Sequence, residues 1–402
     1  MPDTKRSIYV VDDQEPLLEV TVLALRCMGR DWDVMGFSDP LAALEAVKAT
    51  EPNAVLSDYL MPGMEGGKLL EQVRIASPAT IRLIMSGYVP MDKLTLITSA
   101  HQYIAKPFEP GKLRDLILRT FAAQERIVNQ GLQVVVTSIR SIPSLPQAHH
   151  SLLKELEDNR NASTTIARLI GDDPGLSVKV LQLANSALFG PGYTVTNVVD
   201  AVNCLGTEML SAIVLSQSVF RHYESLKPGL IDLTKVWSHC WETGCLAQRL
   251  CRHKKLPHRI GEEAFLAGLL HEVGRFLLFD NFQDQFQIAC HQAHHSKTPL
   301  SANLRQVLQT TPAQMSAYVL ELWGLPNGVV NSISHLDNPA AEPAPGFNMT
   351  SALYAADHLA SQKLPPDTFP LEDWNMSYLE SIGCGDEIED WENLAAGREE
   401  AA

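Results

Sequence analysis

Asp12, Asp13, Asp58, Ser86 and Lys106 are the residue types that phosphoryl acceptance needs, and each stands at the end of a short apolar run. The runs are Ile8–Val11, Ala54–Leu56, Ile81–Met85 and Tyr103–Ala105, with the composition of buried strands. In an open parallel sheet the carboxyl ends of neighbouring strands border one crevice, so all five side chains are expected to converge there. Clustered carboxylates repel one another unless a cation binds, and a hard, oxygen-only set that stays partly hydrated suits magnesium. With the metal in place the Asp58 carboxylate can attack phosphorus while the metal and Lys106 neutralise the phosphoryl oxygens. Ser86 is placed to hydrogen-bond the group once it has arrived.

Positioning five such residues calls for alternating strands and helices. A further strand is expected at Val34–Phe37, and the intervening segments carry helical spacing: Leu17, Val20, Leu23 and Leu25, then Leu41, Leu44 and Val47, then Leu69, Leu70 and Val73. The expected fold is a five-stranded, doubly wound parallel sheet with helices on both faces. The last helix begins near Gly111, and its apolar stripe runs from Leu113 to Val128, long enough to act as a rod-like connector with a break at Gly131. Beyond Val136 the strand signal stops, and helical segments alternate with Pro, Gly and Asn punctuation such as IPSLP, GDDPGLS, NSALFGPG and WGLPNG. An all-α second domain follows. In GDDPG, Asp172 or Asp173 can cap the next helix, with Pro174 in its first turn.

A length of 402 residues fits two or three domains. The boundaries expected are 1–124 for the sheet domain, 125–134 for a helical connector, 135–360 for the helical domain and 361–402 for an acidic tail. No apolar run approaches a membrane span, and the start of the chain shows no export segment, so a cytoplasmic location is expected. The formal net charge of −15 argues against nucleic acid or an anionic membrane as partner. From Pro366 to Ala402 there are 11 Asp and Glu against the single Arg398, which reads as a solvated surface. Seven cysteines without a C-x-x-C pair suggest reduced thiols.

The strings VVDD (10–13), LSDYLMPGMEG (56–66), MSGY (85–88) and YIAKPF (103–108) resemble the receiver domain of bacterial two-component response regulators over about Lys5 to Gln124. That resemblance implies a flavodoxin-like fold with Asp58 as phosphoacceptor. It implies that Asp13, Asp58 and the Leu60 carbonyl hold magnesium, with Asp12 completing the acid pair through water. It makes Ser86 and Tyr103 the switch pair, Lys106 the phosphate ligand and Lys106–Pro107 a cis peptide, and it implies a histidine kinase or phosphotransfer protein as partner.

The strings IPSLP (142–146), DDPGLSVKVLQLANSALFG (172–190), DAVNCLG (200–206), FLAGLLHEVG (265–274) and LELWGLP (320–326) resemble the HD-related output domain, HDOD, over about Val135 to Leu359. Against the catalytic HD pattern, His239 and His271 take the two histidine places, Glu272 stands where Asp is usual, and Asp357 is a fourth candidate. The extra methylene of Glu272 displaces its oxygens by about 1 Å, where ligand distances tolerate about ±0.2 Å. The expectation is a degenerate site without metal in an output module that acts through an unidentified downstream protein, a homodimer being one further option. The enzyme alternative is a phosphorylation-controlled, metal-dependent HD-type phosphohydrolase acting on a phosphoester or cyclic dinucleotide. Two smaller features read as structural: His291, His294 and His295 as exposed helical histidines, and Trp237 with Trp241 as core.

Overall fold

A computed structural model describes residues 6–28, 32–86, 100–125, 130–138, 143–144, 152, 163–185, 193–215, 221–222, 233–342, 346–363 and 373–396. Strands β1 (Arg6–Val11), β2 (Trp32–Phe37), β3 (Ala54–Asp58), β4 (Ile81–Ser86) and β5 (Gln102–Ala105) form one sheet in the order β2-β1-β3-β4-β5. Every pairing is parallel. The central β3 and β4 are buried along their whole length, which is why their sequences AVLSD and IRLIMS read as near-continuous apolar runs. Helices α1 (Glu15–Met28), α2 (Pro40–Thr50), α3 (Gly66–Ala76) and α4 (Pro110–Glu125) connect and flank the strands. Asp39 caps α2 by accepting from the amides of Leu41 and Ala42, with Pro40 in the first turn.

Helix α5 (Gln130–Ser138) corrects the expected rod. The Gln133 amide donates to the carbonyl of Gln124 at 3.0 Å, a contact impossible in one straight helix, where nine residues span about 13 Å. Thr137 Oγ1 reaches the Pro78 carbonyl at 2.6 Å, so α5 folds back onto the sheet domain. Gly131 lies inside α5 and does not end it.

Among the described residues the rest is helical apart from loops, a 3-10 turn (Pro339–Ala341) and a two-residue parallel pair that the sequence did not signal, β6 (Pro143–Ser144) with β7 (Arg221–His222). The helices are α6 (Ser163–Gly171), α7 (Pro174–Asn185), α8 (Val198–Leu215), α9 (Leu233–His253), α10 (His258–Leu270), α11 (Val273–Asn281), α12 (Gln283–Ser296), α13 (Leu300–Leu308), α14 (Pro312–Leu322), α15 (Asn327–Ser334) and α16 (Met349–Ser361), then α17 (Met376–Ser381) and α18 (Ile388–Ala395). Asp173 is the residue that caps α7, accepting from Leu176 N–H at 3.0 Å. Among the described residues no helix is long and apolar enough to cross a membrane.

The acidic tail is not a solvated strip. Its Tyr378, Leu379, Cys384 and Trp391 are buried in an apolar cluster with Leu246 and Leu250 of α9 and Ala352, Ala356 and Leu359 of α16. Lys254 pairs with Glu387. The apolar residues of this segment dock while most of its acids stay outside, so the net charge of a segment says little about whether it packs.

Candidate functional site

Two clusters carry chemistry. In the first, short βα loops leave Asp12 just beyond β1, Asp58 and Ser86 at the last positions of β3 and β4, and Lys106 just beyond β5. Asp12, Asp58 and Ser86 are buried. The Lys106 ammonium donates to Asp12 Oδ2 at 2.7 Å and also to Asp58 Oδ1. Asp58 Oδ2 accepts from Leu60 N–H at 2.9 Å, and Asp12 Oδ1 from Gln14 N–H at 3.0 Å. The sequence therefore places these side chains in one crevice. Tyr103 pairs with Ile84 in the sheet, but its side chain lies outside the described residues. The Lys106–Pro107 peptide is cis.

Gly66 sets the depth of this crevice. A Cβ there would lie 1.9 Å from the Asp58 carbonyl oxygen, so only glycine lets α3 start against the end of β3. Sequence reading missed this residue, although it closes the string LSDYLMPGMEG. Burial raises the Asp58 pKa, and the Asp12 charge adds to that, while Lys106 and the Leu60 amide oppose it. For Lys106 burial acts downward, but its hydrogen bonds to the Asp12 and Asp58 carboxylates and their charges outweigh it, and the ammonium is held above its ordinary value.

Magnesium can be tested against these donors. Asp13 Oδ1 is buried without a hydrogen-bond partner, which is costly for a carboxylate unless a cation takes that lone pair. Asp12 precedes Asp13 in the chain and shares Lys106 with Asp58, so the donors at these strand ends are oxygen-only and hard, the kind that fits magnesium.

In the second cluster, α9 brings His239 and α16 brings Asp357 against His271, which directly follows α10. His239 Nε2 lies 2.9 Å from Asp357 Oδ1 and 3.2 Å from His271 Nε2, and His271 Nε2 lies 3.2 Å from the same Asp357 oxygen. His271 Nδ1 is 2.6 Å from the Gly268 carbonyl and can only donate to it. Glu272 stands apart: Arg275 Nε and Nη2 hold its two oxygens at 2.5 and 2.6 Å. Arg275 lies three residues further on, a helical i,i+3 spacing that could have revealed the pair in the sequence. Burial would raise the Asp357 carboxyl, but the two imidazoles reverse this and hold it well below the usual carboxylate range.

Residues 8–118 match the family described as response regulator receiver domain, and residues 142–339 match HDOD domain. The chain joins a receiver to an HDOD domain. Over 127 residues the receiver is 35% identical to the DNA-binding response regulator MtrA of Mycobacterium tuberculosis, covering 31% of this chain and 54% of that protein. The chain thus spans about half the length of the curated relatives it matches. Among solved structures, the MmoQ response regulator of Methylococcus capsulatus aligns with 63% of this chain and 98% of its own, at 21% identity and TM-score 0.48. A putative phosphohydrolase of Shewanella amazonensis aligns with 67% of this chain and 94% of its own, at 24% identity and TM-score 0.37.

Receiver and HDOD domain also touch directly. Gln102 of β5 donates to the Glu321 carbonyl at 2.8 Å, Gln182 of α7 donates to the His101 carbonyl at 3.3 Å, and Arg119 of α4 donates to Asn327. Behind this seam Arg82, buried in β4, donates to the Thr137 carbonyl of α5. His101 accepts from Arg82 N–H at Nδ1 (3.0 Å) and reaches Thr137 O from Nε2 (2.8 Å). Burial, reinforced by the Arg82 charge, pushes the His101 pKa well down, so its imidazole is neutral. A lone arginine in the apolar run IRLIMS was the sequence signal for this knot.

Of the smaller features, His291, His294 and His295 are exposed on α12. Trp241, expected in the core, is exposed and packs edge-on against Phe265, while the Trp237 side chain lies outside the described residues. In NSALF only Asn185 is described; its amide bridges the Leu181 carbonyl and the Val195 backbone.

Proposed function

We propose that this protein accepts a phosphoryl group on Asp58 from a histidine kinase or phosphotransfer protein and signals through its HDOD domain by protein contacts, in the cytoplasm. The observation that carries this reading is the Lys106 ammonium shared between Asp12 and Asp58, with the next residue, Asp13, holding a buried oxygen that has no hydrogen-bond partner. Asp13, Asp58 and the Leu60 carbonyl would hold magnesium, with Asp12 acting through water; when bound, the ion neutralises charge on the phosphoryl oxygens. An Asp58 oxygen forms the new O–P bond as the donor's bond to phosphorus breaks, and the leaving group departs with the electron pair. Lys106 then holds a phosphoryl oxygen, and the hydroxyl of Ser86, the last residue of β4, supplies a second hydrogen bond to the group. Incubation with acetyl phosphate and magnesium, followed by peptide mapping, is expected to place the label on Asp58. Label on another residue, or labelling without a divalent ion, overturns the reading.

For the HDOD domain the protein-contact role is supported over turnover by the engagement of Glu272 with Arg275, which takes the carboxylate beside His271 out of use. Coupling between the domains would run through the seam. Pulling the end of β4 toward a phosphoryl group strains the neighbouring β5, and Gln102 on β5 is bonded to the HDOD domain. Hydrogen exchange is expected to show altered protection in α4 and α14 on phosphorylation, with Leu266–Leu270 of α10 unchanged. Stoichiometric phosphorylation that leaves both helices, the particle size and partner affinity unchanged would refute the coupling.

A further inference from the structure

Where receiver and HDOD domain meet, two buried polar groups lack the partners their chemistry requires. Tyr318 of α14 is 1% exposed, and its hydroxyl has no hydrogen-bond partner. Lys179 of α7 is 8% exposed, and its ammonium, with three hydrogens to donate, gives one to Gln182 Oε1 at 3.0 Å. Among the described residues no carboxylate pairs with it. Burial accordingly pushes this amine down to about 8, with no neighbouring charge to hold it up.

Both groups stand on the helix faces that hold the receiver. Helix α14 packs on α4, and Glu321, one turn beyond Tyr318, meets Gln102 through its carbonyl and Arg119 through its side chain. Burial raises the Tyr318 hydroxyl while the charge of Arg82, in β4 of the receiver, opposes the rise, so the ring end faces that domain. On α7, Gln182 stands one turn beyond Lys179 and donates to the His101 carbonyl of the receiver at 3.3 Å. With the receiver in place the two groups are dry but not paired. A buried polar group short of hydrogen bonds raises the free energy of the state that buries it, and water removes that cost once the group is uncovered.

We propose that Tyr318 and Lys179 are a release device built into the seam, two groups that oppose the closed arrangement from within. Gln102 with Glu321 and Gln182 with His101 hold the domains together, while the stranded hydroxyl and ammonium favour separation. The closed state therefore stands only a little below an open one, and a phosphoryl group has a small remainder to supply. This rests on the reading that the seam carries the signal. Its test uses unphosphorylated protein, whereas that reading is tested by the change of exchange on phosphorylation, so the two fail separately.

Opening is followed in the full-length protein by single-molecule energy transfer between dyes attached through unnatural amino acids at exposed Ala49 of α2 and Gln292 of α12. Gln102→Ala removes a contact that closes the seam and should raise the open-to-closed ratio into the countable range. In that background Tyr318→Phe, which deletes a single oxygen, should lower the ratio about fivefold or more. Lys179→Gln, which keeps a donor for Gln182 but loses the charge, should do the same. The sign decides the matter, because loss of a group that supports the seam would raise the ratio. A ratio unchanged or raised by either substitution overturns the proposal. So does a Gln102→Ala protein that stays closed, which would put the seam far from balance. A variant that melts below the Gln102→Ala protein in calorimetry overturns it as well, since the group removed was then supporting the fold.

Discussion

Asp58→Asn protein is expected to take up no phosphoryl group from acetyl phosphate, and Lys106→Met protein to take it up ~100-fold more slowly than the parent, as loss of one charged donor to a developing oxyanion does. The two variants fail for different reasons. The amide introduced by Asp58→Asn keeps the shape of the crevice, and its oxygen can still accept from Leu60 N–H, but the nucleophile is gone. Lys106→Met keeps the reach of the side chain but removes the cation that Asp12 and Asp58 share. Without it, two buried carboxylates face each other and the Asp58 pKa should climb above its already raised value, so the remaining slow reaction should favour higher pH. Rates from phosphoprotein gels or intact mass against time, at several pH values, check this. Labelling of Asp58→Asn at the parent rate, or a Lys106→Met rate equal to the parent's, would sink the assignment of roles.

Gly268→Val is expected to destabilise the HDOD domain by about 3 kcal/mol or more while leaving Asp58 labelling intact. Helices α9 and α10 cross where Gly268 meets Gly244, and a Cβ on Gly268 would lie 2.5 Å from Gly244 Cα and N. Those are backbone atoms and cannot rotate away, so the helices must separate. His239 lies five residues before Gly244 and His271 three after Gly268, so the separation also parts the two imidazoles, now 3.2 Å apart. Differential scanning calorimetry of the full chain should show the HDOD transition lowered. An unchanged transition would mean that the crossing is looser than the geometry here implies.

The sequence by itself determined the alternation of strands and helices at the amino-terminal end, because buried strands and amphipathic helices write their period into neighbouring residues. It also placed Asp12, Asp58, Ser86 and Lys106, since a residue at the end of a strand in a parallel sheet has little freedom about which crevice it borders. Tertiary structure decided what depends on residues far apart in the chain. Asp357 meets His239 only because α16 packs on α9, 118 residues away. Glu272 is disarmed by Arg275, and a count of ligand types cannot see which carboxylate is already paired. The continuous stripe from Leu113 to Val128 read as a rod, yet the chain reverses so that Gln133 reaches Gln124 and Thr137 reaches Arg82. An apolar stripe specifies that a face will be buried but not against what. For the same reason the acidic carboxyl-terminal segment read as solvated: its charge is a sum over residues, whereas docking depends on where Leu379 and Trp391 point, and both are buried.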